Sequence, residues 1–220
     1  MRPAFDSMDA LSKRVLPADF YAREPHELAR DLLGRDVVIQ HGARDIRRGR
    51  IVEVEVYGFL PDPASHSYRG IKTRRNQAMF GAAGNAYIYL IYGIYHCFNV
   101  VAPAGERPSA ILVRALHPLE GGEAMARARG LSQAKYDPEK LMSGPGKICQ
   151  AMQIDRSLDA HSLWLTPLSI CEGAPQAVRD EMEILSGPRI GLNPKTVGAC
   201  CDWPWRYGVA GSPYLSRAFK

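Results

Sequence analysis

The chemically suggestive part of the sequence is the run RIVEVEVY at residues 50–57. In a strand, successive side chains point to opposite faces. Ile51, Glu53, Glu55 and Tyr57 then point one way, and Val52, Val54 and Val56 point the other, into a core. Two carboxylates beside an aromatic ring on a rigid element suit acid–base chemistry or a hard metal ion. A solvent-facing polar strand is the plain alternative. No His, Cys or Asp cluster stands near Glu53 and Glu55 to complete a metal site. Arg114, inside the apolar run SAILVRAL at 109–116, is the natural counterpart. A charge in such a strand is costly to leave unpaired, so Glu53 or Glu55 on a neighbouring strand is its expected partner. Such a pair can hold a water between its members. An edge-strand arginine reaching solvent is the other option.

Two further segments suggest a large, anionic, flat-faced ligand. NAYIYLIYGIYHCFNVVA, residues 85–102, is the most apolar stretch, and its length permits a membrane span. Its four tyrosines, one histidine, two asparagines and central glycine fit a half-buried hairpin better. Tyr87 and Tyr89 share a face, where they could equally be core tyrosines with satisfied hydroxyls. Tyr92 falls at the tip beside Gly93, where burial is rare, and a protruding ring suits insertion between stacked bases. SHSYRGIKTRRNQAMFG, residues 65–81, places Arg69, Lys72, Arg74 and Arg75 among Tyr68 and Phe80. Interleaved cations and aromatics suit phosphate contact and stacking, although a solvated loop has the same composition. His66 and Asn99 carry no signal by themselves.

The elements that must position these residues follow from periodicity and punctuation. PHELARDLLG, residues 25–34, predicts a short helix opened by Pro25 and closed by Gly34, with Leu28, Leu32 and Leu33 on its apolar side. Strands are predicted at 36–40 and 50–57, and residues 60–85 form a long loop of the kind that is usually functional or disordered. A hairpin turning at Tyr92-Gly93 spans 86–101. A strand follows at 109–116, then a helix near 119–130 and another from Ser143-Gly-Pro-Gly through Lys147 to Met152. The last third, rich in Pro and Gly, reads as irregular. The prediction is a single α+β domain around an antiparallel sheet, from residue 17 to 220, after a flexible extension at 1–16.

The bulk composition agrees. The 220 residues are 46% hydrophobic and 23% charged, an ordinary globular balance with room for a core. A net charge of +5 is compatible with nucleic acid. The five cysteines are odd in number, without CxxC or zinc spacing, as expected of thiols in a reducing compartment. The N-terminus lacks the apolar run of a signal peptide, so the expected location is intracellular, in the cytoplasm or nucleoid.

In order along the chain, RIVEVEVY, His66-Ser67, Thr73-Arg-Arg-Asn76, Met79-Phe80, YIYLIYGIYHCFN, VRALHPLEG, SGPGKICQAM, GPRIGL and AGSPYLS resemble the alkyladenine (3-methyladenine) DNA glycosylases. The resemblance covers residues 16–216. It implies one compact domain, with a curved antiparallel sheet, a protruding hairpin and flanking helices. It further implies a monofunctional enzyme of base excision repair that acts on duplex DNA as a monomer, without metal or cofactor. Such an enzyme flips out 3-methyladenine, 7-methylguanine and, in some members, hypoxanthine or ethenoadenine, and hydrolyses the N-glycosidic bond.

Residue by residue, the resemblance makes Glu55 rather than Glu53 the base that activates water. Arg114 and the main-chain carbonyl of Ile190 would position that water. Tyr57, His66 and Tyr89 would hold the extruded base, and Asn99 would oppose the 2-amino group of normal guanine. Tyr92 would be the wedge, and Lys72, Arg75, Ile94, Tyr95 and Gly191 would meet the DNA backbone. Ile71 and Ala210 depart from basic residues found in relatives. A non-catalytic binder of damaged nucleic acid and a metal-dependent hydrolase using Glu53 and Glu55 are the competing readings.

Overall fold

The computed structural model describes residues 14–58, 62–103, 108–132 and 135–219. Eight strands form one sheet: β1 (Asp36–Gln40), β2 (Ile46–Tyr57), β3 (Ala86–Ile91), β4 (Tyr95–Ala102), β5 (Ser109–Glu120), β6 (Leu168–Cys171), β7 (Ile184–Gly187) and β8 (Arg206–Val209). The main order is β3-β4-β5-β2-β1-β6, and β8 joins β2 to β7. Every pairing is antiparallel. The sheet curls, and helices cover it, in an α+β architecture. β2 holds the arrangement together by changing partners along its length. Residues 46–50 pair with β1 and residues 53–55 pair with β8, while β5 runs along its other edge.

One face of this sheet is the main core. Ile88, Phe98, Val100, Ile111, Val113, Val54 and Val56 pack there with Leu28, Leu32, Ile148 and Met152 from two helices. The Pro25–Leu32 helix starts on proline, and the Glu24 side chain accepts from the His26 and Glu27 N–H groups. That satisfies donors a helix start leaves open. The helix ends at Leu32, two residues before the predicted glycine. The Pro145–Met152 helix buries Ile148, Ala151 and Met152.

The expected face assignment in β2 needs one correction. Ile51 does not accompany Glu53; it lies in the core with Val54 and Val56. The register explains this. Ile51 pairs with Leu116 and Glu53 with Ala115, so Val52 has no opposite number; Val54 then pairs with Val113, so Arg114 has none. Two compensating irregularities flip the alternation and re-aim side chains, as bulges beside functional sites often do.

The last third is not irregular: β6, β7 and β8 complete the sheet. β5 runs on to Glu120, so the helix expected near 119–130 is confined to Gly122–Ala128. Of the expected extension at 1–16, residues 1–13 lie outside the described residues. Val15 bridges to Cys171, and Leu16 is buried in the core. The apolar stretch at 85–102 is the β3–β4 hairpin, and no helix among the described residues is long and apolar enough to cross a membrane.

Candidate active site

The face opposite the main core carries the site. Strand register aligns Tyr87 with Asn99, Asn99 with Leu112, Leu112 with Glu55 and Glu55 with Arg206, one row across β3, β4, β5, β2 and β8. Tyr89, Cys97, Arg114 and Tyr57 flank this row. Together with the 62–85 segment and residues 190–192 they enclose a cavity of about 370 Å³, within the range of small-ligand sites. Tyr57, His66, Tyr89, Asn99, Arg114, Ile190, Gly191, Tyr92 and Tyr95 all line it.

Glu55 is fully buried and does not itself line the cavity; it is held by Tyr57, Arg114 and Ile190, which do. Its Oε2 accepts from the Tyr57 hydroxyl at 2.7 Å and from Arg114 Nη1 at 3.2 Å. Its Oε1 accepts from the Ile190 N–H at 2.6 Å. Ile190 thus meets Glu55 through its main-chain nitrogen, where the resemblance had singled out its carbonyl. Burial pulls the Arg114 pKa down, but the Glu55 and Glu53 charges outweigh it and hold the guanidinium above its usual value. Arg114 Nε lies 3.3 Å from Glu53 Oε1, so Arg114 bridges both glutamates and lies on the sheet rather than reaching solvent.

Glu53 is equally buried but differently engaged. It accepts from Arg206 Nη1 at 3.2 Å, from the Ser216 N–H at 2.6 Å and from the Ser216 hydroxyl at 2.8 Å. Neither glutamate is on a solvent-facing strand surface. Among the described residues, no three His, Cys, Asp or Glu side chains are grouped so as to hold a metal ion.

The aromatic walls have their own supports. His66 and Tyr89 meet edge to face with centroids 4.7 Å apart. The His66 Nδ1 lies 2.8 Å from the Tyr87 hydroxyl. Desolvation and the Arg75 charge lower the His66 pKa to about 4, so the ring is neutral at physiological pH. Burial pushes the Tyr57 hydroxyl well above its usual pKa, with the Glu55 charge and hydrogen bond adding to it. The Asn99 side-chain NH2 donates to the Tyr87 carbonyl at 2.9 Å, which fixes its amide plane.

At the hairpin tip Tyr92 is 82% exposed and adopts φ +55, with Gly93 at φ +72. Both positive angles suit the tight turn closed by the Ile94 N–H on the Ile91 carbonyl at 3.2 Å. Glycine adopts such an angle freely, whereas a tyrosine there is held at a cost of about 1–2 kcal/mol. Ile94 is 67% exposed and Tyr95 is 40% exposed. Lys72 and Arg75 lie on the exposed loop, Arg75 over the Tyr89 ring at 5.3 Å and Lys72 over Phe80 at 5.5 Å. Gly191 adopts φ +82, in open space.

Three supports escaped sequence reasoning. Asp62 and Arg189, 127 residues apart, form a buried bidentate pair with contacts of 2.6 and 2.8 Å. Arg189 also lies 4.7 Å from the Tyr57 ring centroid. Asn76, inside a quoted motif but given no role, rivets the basic loop. Its side chain accepts from the Thr73 N–H at 2.6 Å and donates to the His66 and Ile71 carbonyls at 2.7 and 2.8 Å. Gly146 lets the Pro145–Met152 helix close on Tyr95, since a Cβ there would stand 3.2 Å from that ring. No periodicity or spacing announces any of the three.

The model of the methylpurine-DNA glycosylase family matches residues 19–213. The chain belongs to that family. A Bacillus cereus (strain G9842) relative is 41% identical over 209 residues, covering 91% of this chain and 98% of the relative. One from Rhodopseudomonas palustris (strain HaA2) is 42% identical over 201 residues, covering 91% and 90%. Both are provisionally named 3-methyladenine DNA glycosylases. The family makes this DNA glycosylase a hydrolase of N-glycosyl bonds in the repair of alkylation damage. Its match spans β1 to β8 and includes both glutamates, the hairpin and Arg114.

Proposed function

We propose that the protein flips 3-methyladenine and related N-alkylated purines such as 7-methylguanine out of duplex DNA and hydrolyses their bond to the sugar. An abasic site is left. The observation that carries this reading is the Glu55 carboxylate held by Tyr57, Arg114 and Ile190, three groups that line an aromatic cavity beside an exposed hairpin tyrosine. A base inside a duplex is out of reach of any such carboxylate, so it must leave the stack at a cost of a few kcal/mol. Tyr92, exposed and rigidly turned, fills the gap. Lys72, Arg75, Ile94, Tyr95 and Gly191 contact the backbone around it.

Alkylation at N3 or N7 makes the purine cationic. Tyr57, His66 and Tyr89 then hold it, each aromatic contact worth ~0.5–2 kcal/mol. A neutral His66 suits this, because an imidazolium would repel the cation. Asn99, its amide fixed, stands against the 2-amino group of normal guanine. As the bond breaks, the sugar becomes oxocarbenium-like and its electrons pass to the departing purine, which leaves neutral and needs no acid. Water adds to the sugar carbon and gives its proton to Glu55, with Arg114 and the Ile190 main chain orienting it. No lysine lines the cavity among the described residues, which supports hydrolysis without a Schiff base. The enzyme would act as a monomer inside the cell, at the nucleoid.

The test is release of free base from methylated duplex DNA, with and without a chelator. Release of 3-methyladenine in both, leaving unbroken abasic DNA, is expected. A folded protein that releases nothing, or that stops in chelator, overturns the proposal.

A further inference from the structure

We infer that the Tyr57 hydroxyl is a positioning group for Glu55, separate from the stacking role of its ring, and that it leaves Oε1 as the oxygen that takes the proton from water. This rests on the glycosylase reading above. A carboxylate offers about four lone-pair sites, two on each oxygen. Among the described residues three donors reach Glu55: Tyr57 and Arg114 on Oε2, and the Ile190 N–H on Oε1. Oε2 is therefore saturated, and the site left for a water lies on Oε1, beside the Ile190 main chain.

Tyr57 is placed for this task from two sides. Two residues from Glu55 on the same strand, it shares its face. The Arg189 guanidinium, clamped by Asp62, packs on its ring at 4.7 Å. The Arg189 backbone leads directly into the Ile190 N–H, so one buried arginine sets two of the three donors. The hydroxyl keeps its proton because burial and the adjacent Glu55 charge disfavour the phenolate. The charged groups facing Glu55 are Arg114 from β5, Glu53 from β2 and Arg189 after β7, with Arg206 from β8 beyond Glu53. None of these is altered when the hydroxyl alone is removed.

Tyr57→Phe keeps the ring and deletes the donor. A general base works only when unprotonated, and a lost donor favours its protonated form. The acid limb of single-turnover excision should therefore move to higher pH by about 1 unit, as one charge-assisted hydrogen bond implies. At pH above the limb the rate should fall less than tenfold. A uniform fall at every pH with an unmoved limb would assign Tyr57 to stacking alone and overturn the inference. An independent readout uses no activity at all. With tyrosine ring carbons labelled, the Tyr57 Cζ resonance of the folded protein near neutral pH should move in Glu55→Gln, because its hydroxyl no longer donates to a charged oxygen. An unmoved Cζ resonance removes the contact, whatever the enzyme does. A wild-type protein that releases no base would instead break the glycosylase reading and leave the resonance result standing.

Discussion

Glu53 and Glu55 are the same residue, two positions apart on one strand, equally buried and bridged by one arginine, yet they occupy different regions. Around Glu53 the C-terminal segment closes in: Arg206 and the Ser216 main chain and hydroxyl join Arg114 in satisfying it. Around Glu55 the partners are Tyr57, Ile190 and Arg114, all of which line a cavity. A carboxylate enclosed by the C-terminal segment, away from the cavity lining, fastens the fold. One held by groups that line a cavity can accept a proton from a ligand there. Residue type and burial do not separate the two; the source of their partners does.

The largest break in this comparison is at the residue the two regions share. Arg114→Leu leaves two buried carboxylates without their common cation. Folding stability should fall by about 3–5 kcal/mol, read as a lower melting temperature and denaturant midpoint. Excision should fall with it even under conditions where the variant is folded. Unchanged stability would mean that the two networks are independent.

Asn76→Ala should cost about 1–3 kcal/mol, because the His66 and Ile71 carbonyls and the Thr73 N–H lose their common partner. Hydrogen exchange should rise first in the 66–80 loop, and capture of lesion DNA should weaken. The β2–β5 amides should keep their protection.

Tyr92→Gly separates hairpin from sheet. Its φ of +55 costs glycine nothing, so stability should stay within about 1 kcal/mol of the parent or rise. Affinity for lesion duplex should drop in a binding titration, and equal affinity would remove the wedge from the account.

The last test is a proton. Desolvation and Arg75 hold the folded His66 at about 4, below the 6.5 of a free histidine. The unfolded chain therefore takes up the proton first. This contribution is present above pH 6.5 and is lost as pH falls towards 4. NMR titration of His66 should give a midpoint near 4. A midpoint above about 7 would leave the ring largely cationic and argue against a neutral wall for a cationic base.

The parts legible in the sequence were those written locally. Alternation exposed β2, the β3–β4 hairpin and the apolar run of β5, and one side of the cavity lies on these elements, while His66 and residues 190–192 come from segments without a period. The four-residue strands β6 to β8 are too short to show a period. The Ile51–Val54 flip depends on unpaired residues in two strands, which neither strand reveals alone. Asp62 with Arg189, and Glu53 with Ser216, are set by chain closure over 127 and 163 residues. Choosing Glu55 over Glu53 came from family resemblance; the geometry gives that choice a physical reason.

The most direct test places the two glutamates side by side. Single-turnover base release and thermal melting are measured for Glu53→Gln and Glu55→Gln on the same methylated duplex. The account predicts a crossed pattern. Glu55→Gln should lose about 10²–10⁴-fold in rate while remaining folded. Glu53→Gln should lose more melting temperature and far less rate. Wild-type excision by Glu55→Gln, or a larger rate loss for Glu53→Gln, would contradict the assignment of chemistry to Glu55.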